Sequence, residues 1–123
     1  MNLLFTAILS LTLQSPITIV KNNGDEIRLS NVQIYQNEKK SSADLLNYTY
    51  LGNVESIKIR EIKRISFKEA LEKKKGVTTY RVILVRSNND KLEVQLNLAK
   101  VEGINNEGKK ESLGLGSVDK ISF

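Results

Sequence analysis

The chain of 123 residues contains no cysteine, no histidine and no tryptophan, and only one proline. Without cysteine it has no disulfide bridge, thiolate nucleophile, zinc–thiolate site or iron–sulfur cluster. Without histidine it lacks the commonest general base, the commonest metal ligand and the usual partner of a nucleophilic serine. These absences favour a protein that binds over one that catalyses, and we expect no cofactor and no metal. A hydrolase built on Asp or Glu is the alternative that the composition leaves open.

Positive charge is concentrated in one part of the chain. Eight cationic and three anionic side chains lie between Ser56 and Lys75, so this stretch accounts for the whole net charge of +5. We call it the basic window. Clustered cations attract phosphates and other anions, whereas lysines on a strand can also protect its edge from unwanted pairing. The candidate binding residues of the window are Lys58, Arg60, Lys63, Arg64, Lys73, Lys74 and Lys75.

The first fifteen residues carry no charged side chain. The apolar run from Leu3 to Leu13 is too short to span a bilayer, which takes about 20 residues, but it has the length of a signal-peptide core. Two features oppose that interpretation, since no Lys or Arg precedes the run and no small-x-small cleavage pattern follows it. We interpret residues 1–15 as a signal peptide or apolar leader and expect export to the periplasm or cell envelope. A buried N-terminal element of a cytoplasmic protein is the alternative.

The chain contains an internal repeat. The segments Ser56–Phe67 and Ser112–Phe123 are identical at four of twelve positions and keep apolar residues at three more, and Pro16–Leu29 aligns without gaps on Arg81–Val94. Such self-similarity predicts one small β unit used twice. We place the first unit at residues 16–67 and the second at residues 78–123.

Local signals divide both units into short strands. Asn22–Asp25 and Ser87–Asp90 have the composition of hairpin turns. The alternating apolar pattern shifts by one residue at Ser30–Asn31, which predicts a bulge or sharp bend. A tight helical turn is expected over Arg60–Lys63. Residues 68–77 have helix-forming composition and are predicted to be a short helix or charged linker, with a hairpin arm as an alternative.

The sequence of apolar strand, K-N-N-G-D-E-I turn (Lys21–Ile27), alternating strand and I-R-E-I-K-R-I-S-F (Ile59–Phe67) resembles small SH3-like or Sm-like β-barrel modules of short exported bacterial proteins of unassigned function. The resemblance covers Pro16–Phe67 and, more loosely, Arg81–Phe123. It implies an all-β fold of two tandem five-stranded barrel units. One merged barrel or sandwich is the alternative, and no catalytic residue carries over.

These observations lead to two functional hypotheses. The first is a non-enzymatic exported module that binds a partner protein or an envelope surface. The second is a cytoplasmic nucleic-acid-binding small-barrel protein that uses the basic window. We expect the four tyrosines to pack across strands rather than to stack on sugars or bases. Oligomeric state is not specified by any of these features.

Overall fold

The computed structural model describes residues 16–37, 41–42 and 44–123, so the leader expected over residues 1–15 lies outside it. The described chain is all-β, and its strands pair in one open antiparallel sheet. The strands are β1 (Ile17–Lys21), β2 (Glu26–Tyr35), β3 (Ser41–Ser42), β4 (Leu45–Tyr50), β5 (Asn53–Lys58), β6 (Ile62–Lys74), β7 (Val77–Arg86), β8 (Lys91–Leu98), β9 (Lys100–Ile104), β10 (Lys110–Leu113) and β11 (Val118–Ser122). A 3-10 turn at Ile59–Glu61 links β5 to β6; it overlaps the tight helical turn predicted over Arg60–Lys63 but begins one residue earlier and ends two residues earlier.

The sheet order is β10-β9-β2-β1-β11-β6-β7-β8-β4-β5, and β3 pairs with β2 beside this path. Strands from the two sequence repeats alternate in it, because β1 pairs with β11, β2 with β9 and β4 with β8. The order has an internal symmetry. The counterparts in the two repeats are β1 and β7, β2 and β8, β4 and β9, β5 and β10, and β6 and β11. If the two members of every pair are exchanged, the strand order of the sheet is unchanged except that it runs in the opposite direction.

The register at the centre of the sheet shows the same symmetry. Strands β6 and β11 meet there with Ile65 directly opposite Ile121, its own counterpart in the repeat. The two predicted hairpin turns are confirmed and also match in detail. Gly24 (φ 92°) and Asn89 (φ 72°) occupy the same turn position. Because asparagine tolerates the left-handed conformation better than most residues, the turn survives the loss of its glycine in the second repeat.

Inward-facing residues from both repeats form one buried core. Several counterparts in the repeat are buried to a similar degree: Ile59 and Leu115 are 5% and 3% exposed, and Ile65 and Ile121 are each 1% exposed. Burial of apolar surface is the main favourable term in folding. Since the strands of both repeats contribute to a single core, the two repeats depend on each other for this term.

The predicted bulge in β2 is confirmed. Asn31 has a left-handed conformation (φ 51°), and the pairing with β9 shifts register between Ser30 and Gln33. The bend brings β2 close to β9 at Gly103, where an added Cβ would lie 2.9 Å from the Leu29 Cβ and 3.0 Å from the Ser30 carbonyl oxygen. Only glycine fits at this position without a shift of the neighbouring strand.

The prediction of a short helix or charged linker over residues 68–77 was wrong, and the alternative of a hairpin arm is what forms. Strand β6 continues to Lys74, Lys75 and Gly76 make the turn with φ of 53° and 79°, and β7 begins at Val77. Nine residues are too few for a stable isolated helix. The β-branched start of β7 instead favours a strand partner, so tertiary pairing overrides the helical preference of the lysine- and glutamate-rich segment.

Candidate anion-binding surfaces

The structure does not bring the basic window together on one surface. Lys58 ends β5, Arg60 lies in the 3-10 turn, and Lys63 and Arg64 begin β6. Lys73–Lys75 lie at the tip of the β6–β7 arm, nine strand residues beyond Arg64, which is about 30 Å along an extended chain. The window therefore forms two separate cationic regions.

Even the residues near the start of β6 face different surroundings. Lys58 lines one cleft with Arg86, whereas Arg60 and Lys63 line another that is bordered by Phe123. The Lys63 ammonium also donates a hydrogen bond of 2.8 Å to the Asn89 side-chain carbonyl. Of the seven candidate residues, Arg64 is the one that points onto the outer face of the central sheet, where a different set of cations lies.

That second set forms a row across six strands, which we call the cationic row. Residues directly opposite each other in antiparallel strands project from the same face, so the register identifies its members. In sheet order from β2 to β8 they are Arg28, Thr18, Ser122, Arg64, Val85 and Lys91. Five inter-strand spacings of about 4.8 Å make the row about 24 Å long.

The cationic row contains Arg28, Arg64 and Lys91 and no carboxylate. None of these three cations takes part in an ion pair within the part of the chain that the structure describes. Their charges are therefore available to an external anion.

The neighbouring row on the same face has the opposite character, and we call it the mixed row. Its members in the same sheet order are Glu26, Val20, Lys120, Ser66, Ile83 and Glu93. The two rows are counterparts under the sequence repeat, with Arg28 equivalent to Glu93 and Lys91 equivalent to Glu26. Because side chains two residues apart on a strand lie about 6.6 Å apart, a positive line and a partly negative line run side by side.

Packing holds part of the cationic row in place. Val85 points outward yet is 3% exposed, and its cross-strand neighbours are Arg64 and Lys91. Long cationic side chains bury their aliphatic stems on apolar surface while the charged ends stay in water. The same residues border a shallow groove of about 480 Å³ that also includes Lys68.

A polar cluster that the sequence did not indicate lies on β2 and β9. The Tyr35 hydroxyl donates a hydrogen bond of 3.0 Å to Glu102 Oε1, and the Lys100 ammonium lies 3.0 Å from Glu102 Oε2 and 4.6 Å from the centre of the Tyr35 ring. The hydrogen bond from Lys100 is the main cause that lowers the pKa of Glu102, and the hydrogen bond to Glu102 raises the pKa of Tyr35. A carboxylic general acid at neutral pH needs a raised pKa, so this cluster has the properties of a structural ion pair.

A third feature is the cleft between β5, the 3-10 turn and the end of β7, which we call the Arg86 cleft. It has a volume of about 550 Å³ and is lined by Leu45, Ser56, Ile57, Lys58, Glu61, Arg86, Ser87 and Asn88. Sequence reasoning did not single out Arg86, although its position gave a signal: it continues the inward-facing alternation of Val82 and Leu84 with a charged residue.

Within the described residues, no group of three or more metal-binding side chains is placed to hold a metal ion. The described ranges also contain no helix with the length and apolar character needed to cross a membrane. Comparison of the chain with protein-family models, with curated proteins and with solved structures gives no match. Function is therefore inferred from the surfaces described above.

Proposed function

We propose that the protein is a non-enzymatic, exported binding module that engages an anionic polymer of the cell envelope through the cationic row. The observation that carries the proposal is the contrast between the two rows. The repeat makes the two rows equivalent, but Arg28, Arg64 and Lys91 lie without carboxylates in one row. The other row combines Glu26 and Glu93 with Lys120.

The arrangement favours a linear partner over a broad negative surface. A planar anionic surface that met the cationic row would also meet Glu26 and Glu93 about 6.6 Å away, which is less than the Debye length of about 8 Å at physiological salt. Glu93 is partly compensated by Arg81 at 3.4 Å, whereas Glu26 has no ion pair among the described residues. A single extended polyanion that follows the row stays closer to the cations than to the carboxylates and meets less of this repulsion than a planar surface does.

Two other partners fit the same row less well. An acidic segment of a partner protein would meet the three cations in the same way, but the face of a fully paired sheet offers no free backbone groups to bind its main chain. Nucleic acid, the cytoplasmic alternative, usually stacks its bases on aromatic side chains, and the cationic row contains no aromatic residue. The row therefore supplies charge recognition without base recognition.

We also propose that the sheet comprises two related five-stranded units of the SH3-like or Sm-like plan that have exchanged strands. One unit would be β11-β1-β2-β9-β10 and the other β6-β7-β8-β4-β5. The symmetric strand order and the equivalent turns support this proposal. A single merged barrel or sandwich is the alternative.

A charge-matched pair of triple variants tests the binding surface. The row variant replaces Arg28, Arg64 and Lys91 with glutamine, and the tip variant replaces Lys73, Lys74 and Lys75 with glutamine, so that both lose three positive charges. Fluorescence anisotropy with an end-labelled polyphosphate chain measures binding at several salt concentrations. Three cations predict a slope of log K against log salt of about −2. We expect the row variant to lose binding and the tip variant to retain both affinity and slope.

Equal losses in the two variants would show that net charge alone attracts the probe, and the cationic row would be refuted. A labelled deoxythymidine oligomer that binds at least as tightly as polyphosphate, with a weaker salt dependence, would favour the nucleic-acid alternative. The export part of the proposal rests on the apolar run over residues 3–13. The intact mass and cell fraction of the protein made from its full reading frame test it, because a product shortened by about 15 residues outside the cytoplasm is expected.

A further inference from the structure

The geometry points to a second binding site, independent of the cationic row: the Arg86 cleft takes a small molecule that carries one carboxylate or phosphate group, with Arg86 as its anchor. The surroundings of the Arg86 guanidinium indicate this site. Its Nη2 donates to the Tyr48 hydroxyl at 3.3 Å, and its Nε is buried without any hydrogen-bond partner. No carboxylate forms an ion pair with it within the described residues.

A partly buried guanidinium without a counter-ion is unfavourable, because buried charges are normally paired or hydrogen-bonded. The hydrogen bonds of the described residues connect Arg86 to a carboxylate only indirectly, since Tyr48 donates its own hydroxyl hydrogen to Glu55 Oε1 at 3.1 Å. Tyr48 thus accepts from Arg86 and donates to Glu55, which leaves most of the guanidinium's five donors unused. An oxyanion in the adjoining cleft would supply the missing charge and accept from the terminal nitrogens of the guanidinium, because the buried Nε is not accessible to a ligand.

The other residues of the cleft define the chemistry of its ligand. Lys58 provides a second cation, and Ser56, Ser87 and Asn88 provide neutral polar groups. Glu61 adds a negative charge, which disfavours a highly charged polyanion. Leu45 and the buried Ile57 add apolar wall. A volume of about 550 Å³ lies within the usual range of small-molecule sites, about 300–1,000 Å³. These features fit a small molecule with one anionic group.

The other half of the sheet does not repeat this combination and offers a matched control. The counterpart of Arg86 is Lys21 at the end of β1, and the counterpart of Glu61 is Ser117. The backbone contact at this point is conserved, since Ser87 N–H donates to the Glu61 carbonyl at 2.9 Å and Asn22 N–H donates to the Ser117 carbonyl at 2.8 Å. The backbone is thus repeated while the charged groups of the Arg86 cleft are not.

The test is a titration of the full chain with inorganic phosphate and, separately, with sodium acetate, at constant ionic strength maintained with chloride. The arginine Nε–H resonances in a ¹⁵N NMR spectrum and the thermal midpoint report binding. We expect the Arg86 Nε–H to shift with saturation and Arg86→Met to weaken binding about 10- to 100-fold, the usual range for loss of a hydrogen bond to a charged group. Lys58→Gln should weaken it less, and Lys21→Met should leave it unchanged.

Shifts with acetate as well as phosphate would assign the site to carboxylates in general, and shifts with phosphate alone would assign it to phosphate esters. The row variant, which lacks Arg28, Arg64 and Lys91, should bind both probes as the parent does, so failure of the cationic row leaves this site unaffected. Absence of any saturable shift, or an equal loss in Lys21→Met, would overturn the inference. If Arg86→Met does not fold, Arg86→Lys, which keeps the positive charge, takes its place. The titration of the Arg86 Nε–H resonance in the parent chain still decides whether the cleft binds the anion.

Discussion

The side chain of Gln36 is expected to hold the sheet together where two of its strands separate. In the register between β4 and β8, Thr49 lies opposite Gln95 as the single paired position. Beyond that point Gln36 fills the gap: its Nε2 donates to the Asn47 carbonyl at 2.7 Å and the Asn97 carbonyl at 3.1 Å, and its Oε1 accepts from the Asn47 N–H at 2.9 Å. One amide side chain thus replaces the missing ladder bonds.

The magnitude follows from these three hydrogen bonds. Each contributes about 1 kcal/mol net, but all three lie at exposed positions, where water takes over part of the bonding. We therefore expect Gln36→Ala to lower the free energy of unfolding by about 1–2 kcal/mol in urea titrations. Hydrogen exchange should also accelerate at the Asn47 amide before it changes at the centre of the sheet. Gln33→Ala is the control, because that side chain only accepts a long bond of 3.3 Å from Tyr35.

Gln36→Glu separates the contribution of the donors from that of the acceptor. Glutamate keeps an acceptor for the Asn47 N–H but loses both donors and turns a carboxylate toward two carbonyl oxygens. We expect it to be at least as unstable as Gln36→Ala at neutral pH and to improve as the carboxyl group is protonated. The bridging role would be refuted if Gln36→Ala lowered the free energy of unfolding by less than about 0.3 kcal/mol. It would also be refuted if Gln33→Ala accelerated hydrogen exchange at the Asn47 amide to the same extent.

Further predictions concern the backbone, the ion-pair cluster and cooperativity. Gly103→Ala should lower the free energy of unfolding, measured by urea titration, by about 1–3 kcal/mol, because the added Cβ would lie 2.9 Å from the Leu29 Cβ. Gly116→Ala is the control, since a Cβ there would have no atom within 4 Å. Leu51→Asn should raise the free energy of unfolding by about 0.5–1 kcal/mol, because asparagine tolerates the left-handed conformation better than leucine. Leu51 has φ 50° and, at 83% exposed, loses little packing when it is replaced. The lowered pKa of Glu102 stabilises the fold above the ordinary glutamate pKa, and this contribution is lost as pH falls through the folded-state value. In Glu102→Gln the free energy of unfolding should therefore fall less steeply as the pH is lowered than it does in the parent protein. The same pH dependence in both proteins would contradict this. Calorimetry should give one unfolding transition, because both repeats share a core; two separated transitions would oppose it.

The sequence predicts local features of this fold well because they depend on neighbouring residues. Alternation and turn composition indicate the strands, the hairpin turn at Asn22–Asp25 and the bulge at Ser30–Asn31, and the structure contains them all. The arm over residues 68–77 could not be predicted in the same way. Its local composition favours a helix, and the partner that makes it a strand, β7, acts through tertiary pairing.

The candidate surfaces show the same limit more strongly. Counting charges along the chain groups Arg64 with Lys73–Lys75, although strand β6 carries them about 30 Å apart. Arg28 and Lys91 lie far from Arg64 in sequence and join it only through the order β2-β1-β11-β6-β7-β8. Arg86 continues the inward-facing alternation of β7, which is a weak signal, and its missing counter-ion among the described residues is visible only in three dimensions.

The repeat shows that the two halves of the protein differ in their surface charges more than in their strand order. The repeat relates five strands of the first half to five strands of the second half and includes the Ile65–Ile121 pair at the centre of the sheet. A surface that served only solubility would be free to vary at random between the copies. Here the differences are ordered: cations without carboxylates occupy one row, the carboxylates occupy the next, and Arg86 and Glu61 occur in one cleft while Lys21 and Ser117 take their equivalent places. Because equivalent backbone positions differ in charge in this ordered way, exchanging the charges of the two rows should transfer binding from one row to the other while leaving the fold unchanged.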